Sequence, residues 1–238
     1  VASFRARAVV LRGVPLGEAD RIVHLLTDTE GKVRAVVKGV RRTESRWGGR
    51  FEPFSHLSVE VYRGRSLDRV IQAEVVEAFP ALRQDFGRVV RASVMAEAVD
   101  QVALEGEAQP ALFALLRRAL VALEAGDRPM LLAGFLWKLL ALEGLAPALD
   151  RCGRCGEPAD PVAFDRAGTG LLGACCRNGV RAEPEAVGLV RLCLTGGLAE
   201  ALARPASLAT AMAEAEAIAA LERHLERPLK SAAVLRGS

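Results

Sequence analysis

Four of the five cysteines lie between Cys152 and Cys176, and their spacing is the densest chemistry in the chain. Cys152-Gly153-Arg154-Cys155-Gly156 has the outline of a zinc knuckle. Two thiolates three positions apart can face one metal, and the glycines permit a tight turn with N–H···S contacts. Nineteen residues separate Cys155 from the adjacent pair Cys175-Cys176, which Gly170, Gly173 and Gly179 flank. Four thiolates with no histidine nearby suit one closed, tetrahedral, structural zinc ion without a position for water. Adjacent cysteines in place of a second C-x-x-C require a sharp backbone turn, and a ribbon without metal is the alternative. A redox role fits poorly, because Cys152/Cys155 lacks the βαβ setting of thioredoxin-like pairs. Cys193 stands apart and reads as a small buried hydrophobe.

The second cluster is cationic. Net charge over 238 residues is only +3, but residues 1–80 hold 14 Lys/Arg against 10 Asp/Glu, and residues 81–238 hold 18 against 19. Between Lys32 and Arg50 there are seven basic residues and one acidic residue, Glu44. Arg5 and Arg7 alternate with alanines, and Lys32 and Arg34 alternate with Val33 and Ala35, so each pair points to one face of a strand. Lys38 ends the third strand, and Arg41, Arg42, Arg46 and Arg50 follow in a loop with Trp47 and Gly48-Gly49. Arginine forks suit phosphate oxygens, and an exposed indole would offer an unpaired base a stacking surface. The plainer readings are a solvated strand face and a core Trp47. No base-reading helix-turn-helix or C2H2 pattern is evident, so sequence-independent binding is expected.

Catalytic constellations are missing. The three histidines, His24, His56 and His224, imply no shared site, and there is no H-E-x-x-H, no Walker loop and no G-x-S-x-G. Gly168-Thr169-Gly170 belongs with the cysteine ribbon rather than with a phosphate cradle. Asp20, Asp28, Asp68 and Asp85 have no spacing that argues for a nuclease centre. The expectation is a protein that is not an enzyme.

The elements that must carry these residues change character once along the chain. Period-two alternation marks strands at Arg5–Arg12, Arg21–Thr27, Lys32–Gly39, Ser55–Arg63 and Leu67–Phe79. Turns are expected at Asp28–Gly31 and Arg63–Ser66, and the length of the fifth run predicts a bulge or break near its end. Five short strands with a polar insertion after the third fit an OB barrel or an SH3-like barrel. From Ala81 the spacing becomes helical: Leu82–Leu104, Ala111–Glu124 behind Pro110, Pro129 to about Leu142, Glu185–Leu194, Gly197–Leu202 and Thr210–Arg227. The expected architecture is multi-domain α+β. Residues 1–80 form a nucleic-acid-binding barrel, residues 81–150 and 181–238 an α-helical domain, and residues 151–180 an inserted zinc-ribbon-like finger. No apolar run approaches the ~20 residues that span a bilayer. Residues 1–7 offer no signal-peptide core. A cytoplasmic, nucleoid-associated protein is expected, with a few residues missing upstream because the chain lacks an initiator Met.

Several strings resemble the RecO family of bacterial DNA repair and recombination mediators. These are Lys38-Gly39-Val40-Arg41-Arg42, Ser45-Arg46-Trp47-Gly48-Gly49, Glu52-Pro53-Phe54, Val61 through Leu67 with Gln72-Ala73-Glu74, the cysteine insertion, and His224 through Ser231. The resemblance implies an N-terminal OB fold, a helical domain and a C4 zinc finger. It also implies binding of single- and double-stranded DNA and annealing of complementary strands. The implied partners are RecR and the single-stranded-DNA-binding protein, from which RecA is helped to take over the strand. Zinc-bearing members show a second C-x-x-C, whereas here Gly173 holds its first position and Cys176 its second. Cys175 is therefore assigned as the third ligand, beside Cys152, Cys155 and Cys176. An apolar helical groove near Arg117, Arg118 or Lys138 would suit an acidic, hydrophobic tail. The competing class is an RNA chaperone or ribosome-associated OB protein; a zinc-dependent enzyme would need an open coordination position.

Overall fold

The computed structural model describes residues 3–166, 170–178, 180–181 and 183–236. The Gly168-Thr169 pair and Gly179 lie outside these residues. Five strands, β1 (Ser3–Leu16), β2 (Asp20–Thr27), β3 (Gly31–Val37), β4 (His56–Tyr62) and β5 (Asp68–Glu77), close a barrel in the order β1-β2-β3-β5-β4. All pairings are antiparallel except β3 with β5. This is the OB-like barrel, and every strand falls where the alternation predicts it.

Alternation sends Ala6, Ala8, Val10, Val23, Leu25, Val33, Ala35, Val37, Leu57, Val59, Val61 and Val70 into the barrel. The alanines keep the interior narrow enough for side chains to fill it. The register slips at Leu11 of β1 and at Ile71 and Val76 of β5. Each slip is a bulge, and the last lies near the end of β5 as its length predicts. The bulge at Leu11 reverses the parity of β1: Val10 faces inward, but Val14, opposite Ile22, faces outward.

Three helices follow: α1 (Pro80–Gln84), α2 (Phe86–Val102) and α3 (Pro110–Ala125). Pro80 occupies the first turn of α1, where a missing N–H costs nothing. Glu124 of α3 accepts the α1 amides of Ala81 and Leu82, and Asp85 caps α2 at Arg88 N. Periodicity alone predicts one helix over Leu82–Leu104, whereas the chain breaks at Asp85 into α1 and α2. These helices belong with the barrel. Arg117 grips both carboxylate oxygens of Glu77 at 2.9 Å, and Arg83 donates to Pro53 O and Ser55 Oγ. Arg117 is thus committed internally rather than offered to a peptide tail. Glu77 also holds buried His56 at 2.6 Å. The compact units accordingly divide at Ala125/Gly126, although strands give way to helices at residue 80, where the change of period falls.

Asp100 is the main polar node of this first unit. It is 7% exposed, on α2, with Arg12 Nε 2.6 Å from Oδ2 and His24 Nδ1 3.1 Å from Oδ1. Lys32 Nζ donates to the Asp100 carbonyl at 2.6 Å. One residue therefore ties α2 to β1, β2 and β3. The turn into β3 is closed by Gly31 at φ 64, where any Cβ would lie 2.0 Å from Glu107 O. Only glycine fits there.

The second unit, Gly126–Ser238, centres on α4 (Leu131–Leu142), whose residues Leu131 to Trp137, Leu139 and Leu140 are all buried. Around it lie α5 (Pro184–Leu194), α6 (Leu198–Leu202) and α7 (Leu208–Leu225), with α8 (Lys230–Arg236) at the end. Trp137 Nε1 donates to Ala213 O of α7. Ser207 and Thr210 form a reciprocal cap that starts α7. The short hairpin β6 (Ala163–Asp165) and β7 (Gly170–Leu172) belongs to the cysteine insertion. Among the described residues no helix is long and apolar enough to cross a membrane.

The Asp100 node predicts an acid-sensitive contribution to stability. Burial raises its pKa, but hydrogen bonds from His24 and Arg12 outweigh that and hold it at about 2, against an ordinary 3.8. A depressed carboxylate stabilises the fold fully above pH ~4 and loses that contribution as pH falls towards ~2, a span worth about 2 kcal/mol. Asp100→Asn should cost about that much at pH 7 in urea unfolding, with the gap to wild type closing towards pH 2. An equal gap at both pH values would refute the assignment.

Candidate nucleic-acid interface and thiolate centre

The segment between β3 and β4 runs from Lys38 to Ser55 through successive turns. Trp47 organises it. Its ring is 4% exposed inside the barrel core, edge-on to Phe51 with centroids 5.4 Å apart, and its Nε1 donates to Lys38 O at 2.9 Å. The expected exposed stacking surface is therefore corrected: Trp47 is a core residue. A buried indole must place its N–H, and the carbonyl of Lys38 supplies the acceptor.

The cations around it contact carbonyl oxygens and a ring rather than carboxylates. Arg46 lies over the Trp47 ring at 4.2 Å and reaches Ile71 O, and Arg50 donates to the carbonyls of Arg46 and Trp47 at 2.8 Å. Arg41 donates to Gly17 O at 2.9 Å, while its own amide bonds Ala19 O. These contacts orient guanidinium groups through backbone carbonyls and leave them unneutralised. Lys38 and Arg42 are exposed, and no carboxylate pairs with either among the described residues. Within the loop, Glu52 is turned to Arg21 and Glu44 is exposed.

The strand cations behave differently. Arg5 pairs with Glu60 at 3.0 Å and Arg34 with Glu105 at 2.9 Å, and Lys32 is bound at Asp100. Arg7 is exposed. Of the ten residues that the sequence nominates, the structure gathers Lys38, Arg41, Arg42, Arg46 and Arg50 on one loop. It ties Arg5, Lys32 and Arg34 into pairs along the strands, and it buries Trp47. Arg69 of β5 was missed; it is exposed and opposite Val36 of β3. Its sequence signal was only an outward position in an alternating strand.

In the second unit the four cysteines converge. Cys152 Sγ, Cys155 Sγ, Cys175 Sγ and Cys176 Sγ all lie within 4.8 Å of one another, and this set can hold a metal ion. The sharp turn demanded by adjacent cysteines is a 3-10 turn over Ala174–Cys176. Gly173 sits against the cluster, where a Cβ would meet Ala159 Cβ at 2.6 Å and Cys175 Sγ at 3.3 Å. The position where a regular second C-x-x-C would begin thus has no room for a side chain. Backbone N–H groups of Cys155 and Arg154 lead in lowering the Cys152 thiol to about 6. Cys176 is pushed up to about 12, first by its contact with Cys155. Ionised together, four thiols at this distance would repel one another, and a bound cation would relieve that repulsion. Arg154 brackets the centre by donating to Cys176 O and to buried Asp165.

A closed OB-like barrel with an arginine loop that no carboxylate pairs among the described residues, in one chain with helices and a four-cysteine ribbon, defines a multi-domain α+β class of protein. Family models narrow it. The model described as recombination protein O N terminal matches residues 1–79, and the one described as recombination protein O C terminal matches residues 83–233. The chain belongs to the recombination protein O (RecO) family, which gives it a role in DNA repair and recombination.

Thiol chemistry offers a check on this geometry. Cys155 and Cys175 are exposed, whereas Cys193 is buried and its thiol is raised to about 11 by burial. After chelation, at pH 7, an aromatic disulfide reagent should modify cluster thiols first and Cys193 only in denaturant. Mass mapping that finds Cys193 modified alongside Cys155 would contradict the packing described.

Proposed function

We propose that this chain is a non-catalytic recombination mediator of the cytoplasm, associated with the nucleoid. It binds single- and double-stranded DNA and anneals complementary strands. With RecR it assists RecA in loading onto DNA coated by the single-stranded-DNA-binding protein. The observation that carries this reading is the loop from Lys38 to Arg50, whose guanidinium groups are aimed by backbone carbonyls and not cancelled by carboxylates. Such groups exchange condensed counterions on DNA for themselves, which makes binding sequence-independent and steeply salt-dependent. Annealing needs two strands brought together without turnover, and neutralising phosphate repulsion is the physical contribution a cationic surface makes.

The thiolate centre braces the second unit. Zinc suits four sulfurs, because Zn–S bonds of about 2.3 Å in a tetrahedron separate the sulfurs by about 3.8 Å. The 3.5 Å Cys155–Cys175 separation and the 4.8 Å ceiling on all pairs are compatible with that value. Cys152, Cys155, Cys175 and Cys176 would be the ligands, and with all four positions taken no water is activated.

Two tests follow from these readings. Arg41→Glu with Arg42→Glu should weaken binding to both single strands and duplex at least about tenfold at low salt. If ~4 phosphates are neutralised, the wild-type log–log salt slope on duplex should be about −3.6. Unchanged affinity in the double variant would overturn the loop assignment. A clear preference for structured RNA over single-stranded DNA would move the chain to the RNA-chaperone class. For the metal, elemental analysis should return one zinc per chain. Strong chelation should lower the melting temperature of the second unit and leave the barrel transition in place.

A further inference from the structure

We infer that the β6–β7 hairpin couples the thiolate centre to the helices around α4 and α7, with Arg166 as the link, so that binding at the four sulfurs sets how tightly α7 is held. This rests on the reading of the four cysteines as a metal centre, and it adds what that centre controls and through which residues.

All three residues of β6 are buried, and successive side chains of a strand point to opposite faces. Ala163 joins Cys152 and Leu172 in one apolar cluster, against which Cys176 packs. Asp165 is buried on the same side and accepts from Arg154 Nη2 at 3.0 Å, while Arg154 Nη1 donates to Cys176 O at 3.3 Å. That face of the strand belongs to the cysteines. Phe164 turns the other way and stacks on Trp137 of α4, with ring centroids 6.5 Å apart. Arg166, directly after the strand, donates from Nε to Glu216 Oε1 of α7 at 2.9 Å and holds Nη2 3.7 Å from Glu183 Oε1, at the start of α5. Trp137 Nε1 bonds Ala213 O, three residues before Glu216 on α7. Phe164 and Arg166 therefore meet the helices at one place.

A two-stranded hairpin of three residues a side has little stability of its own. Its position is therefore set by what supports it on each face. On the cysteine side the support is the Cys152–Cys155 knuckle and the 3-10 turn, which a bound ion would join through four sulfurs. On the helical side Glu183 and Glu216 are 9% and 7% exposed, and Arg166 is the cation that pairs with both among the described residues. Arg166 keeps 68% of its side chain in water, so it can leave the pair, whereas the two acids cannot. A shift of the hairpin withdraws it and strands two buried carboxylates without a counter-charge, which favours opening α7 to water. Val162 reinforces the route: its carbonyl accepts from Glu183 N at 2.7 Å, and its amide donates to Leu172 O at 2.9 Å. Such coupling is reciprocal, so helices that grip Arg166 also hold the sulfurs in place for the ion.

Hydrogen exchange read by peptide mass spectrometry on the full chain, zinc-loaded and then chelated, tests the route. In wild type, chelation should speed exchange about tenfold or more in the α7 peptide that spans Ala213 and Glu216, and leave β1–β5 unchanged. Arg166→Gln should shrink that response and, by reciprocity, weaken zinc binding about tenfold in competition with a chromogenic chelator. Cobalt in place of zinc should give the same thiolate-to-metal absorption in both proteins, because the four sulfurs are untouched. Arg166→Lys, which keeps the charge, should recover part of the affinity. Equal α7 exchange in loaded and chelated wild type overturns the coupling, whatever the variant does to folding. So does unchanged zinc affinity in Arg166→Gln, or a chelation response as large there as in wild type. If the chain takes up neither zinc nor cobalt, the metal reading fails and the coupling falls with it. If the four-sulfur spectrum forms and α7 does not respond, the metal reading stands and the coupling alone is lost.

Discussion

The burial of one indole is the constraint on which the nucleic-acid surface depends. Trp47 enters the barrel core and bonds Lys38 O, so a long, turn-rich segment is pinned at its middle to its own first residue. Without that anchor the entropy of a loop this long would spread its arginines over many positions. With it, Arg46 stacks on the indole, Arg50 caps the same turn, and Arg41 reaches across to the β1–β2 tip. The aromatic ring that looked like a ligand surface acts instead on the chain that carries the charges.

Most of these charges are sorted by the kind of backbone that bears them, with Arg7 and Arg69 exposed on strands as the exceptions. On a strand, each outward side chain has fixed neighbours, and evolution of a stable barrel can set an acid opposite a base. Arg5 faces Glu60 across the β1–β4 register, and Lys32 and Arg12 meet at Asp100. A loop has no such fixed cross-strand partner, so its arginines turn to carbonyl oxygens, which orient them without cancelling them. The two populations are alike in composition and differ in what they can offer a phosphate.

The thiolate centre follows a similar logic on a smaller scale. Cys152 and Cys155 come together through local turn geometry, but Cys175 and Cys176 arrive only because β6 and β7 fold the insertion back on itself. The 3-10 turn lets two neighbours in sequence face the same point, and the lack of room at Gly173 leaves no place for the regular alternative. Arg154 then ties the two halves together through Cys176 O and Asp165.

Sequence alone determined what depends on period and local chemistry. The five strands are legible because alternation of Ala, Val and Leu with polar residues has only one way to pack in a barrel, and the four cysteines are legible because thiolates in that spacing have few other uses. The tertiary structure alone decided what depends on contacts distant in the chain. Whether Trp47 is seen by solvent was settled by the space between Phe51 and the strands, and whether Arg34 is free was settled by Glu105, just past the end of α2. The attachment of α1–α3 to the barrel rests on pairs such as Glu77 with Arg117, and the outward facing of Val14 rests on the bulge at Leu11. Periodicity reports which face a residue occupies. Only packing reports what, if anything, covers that face.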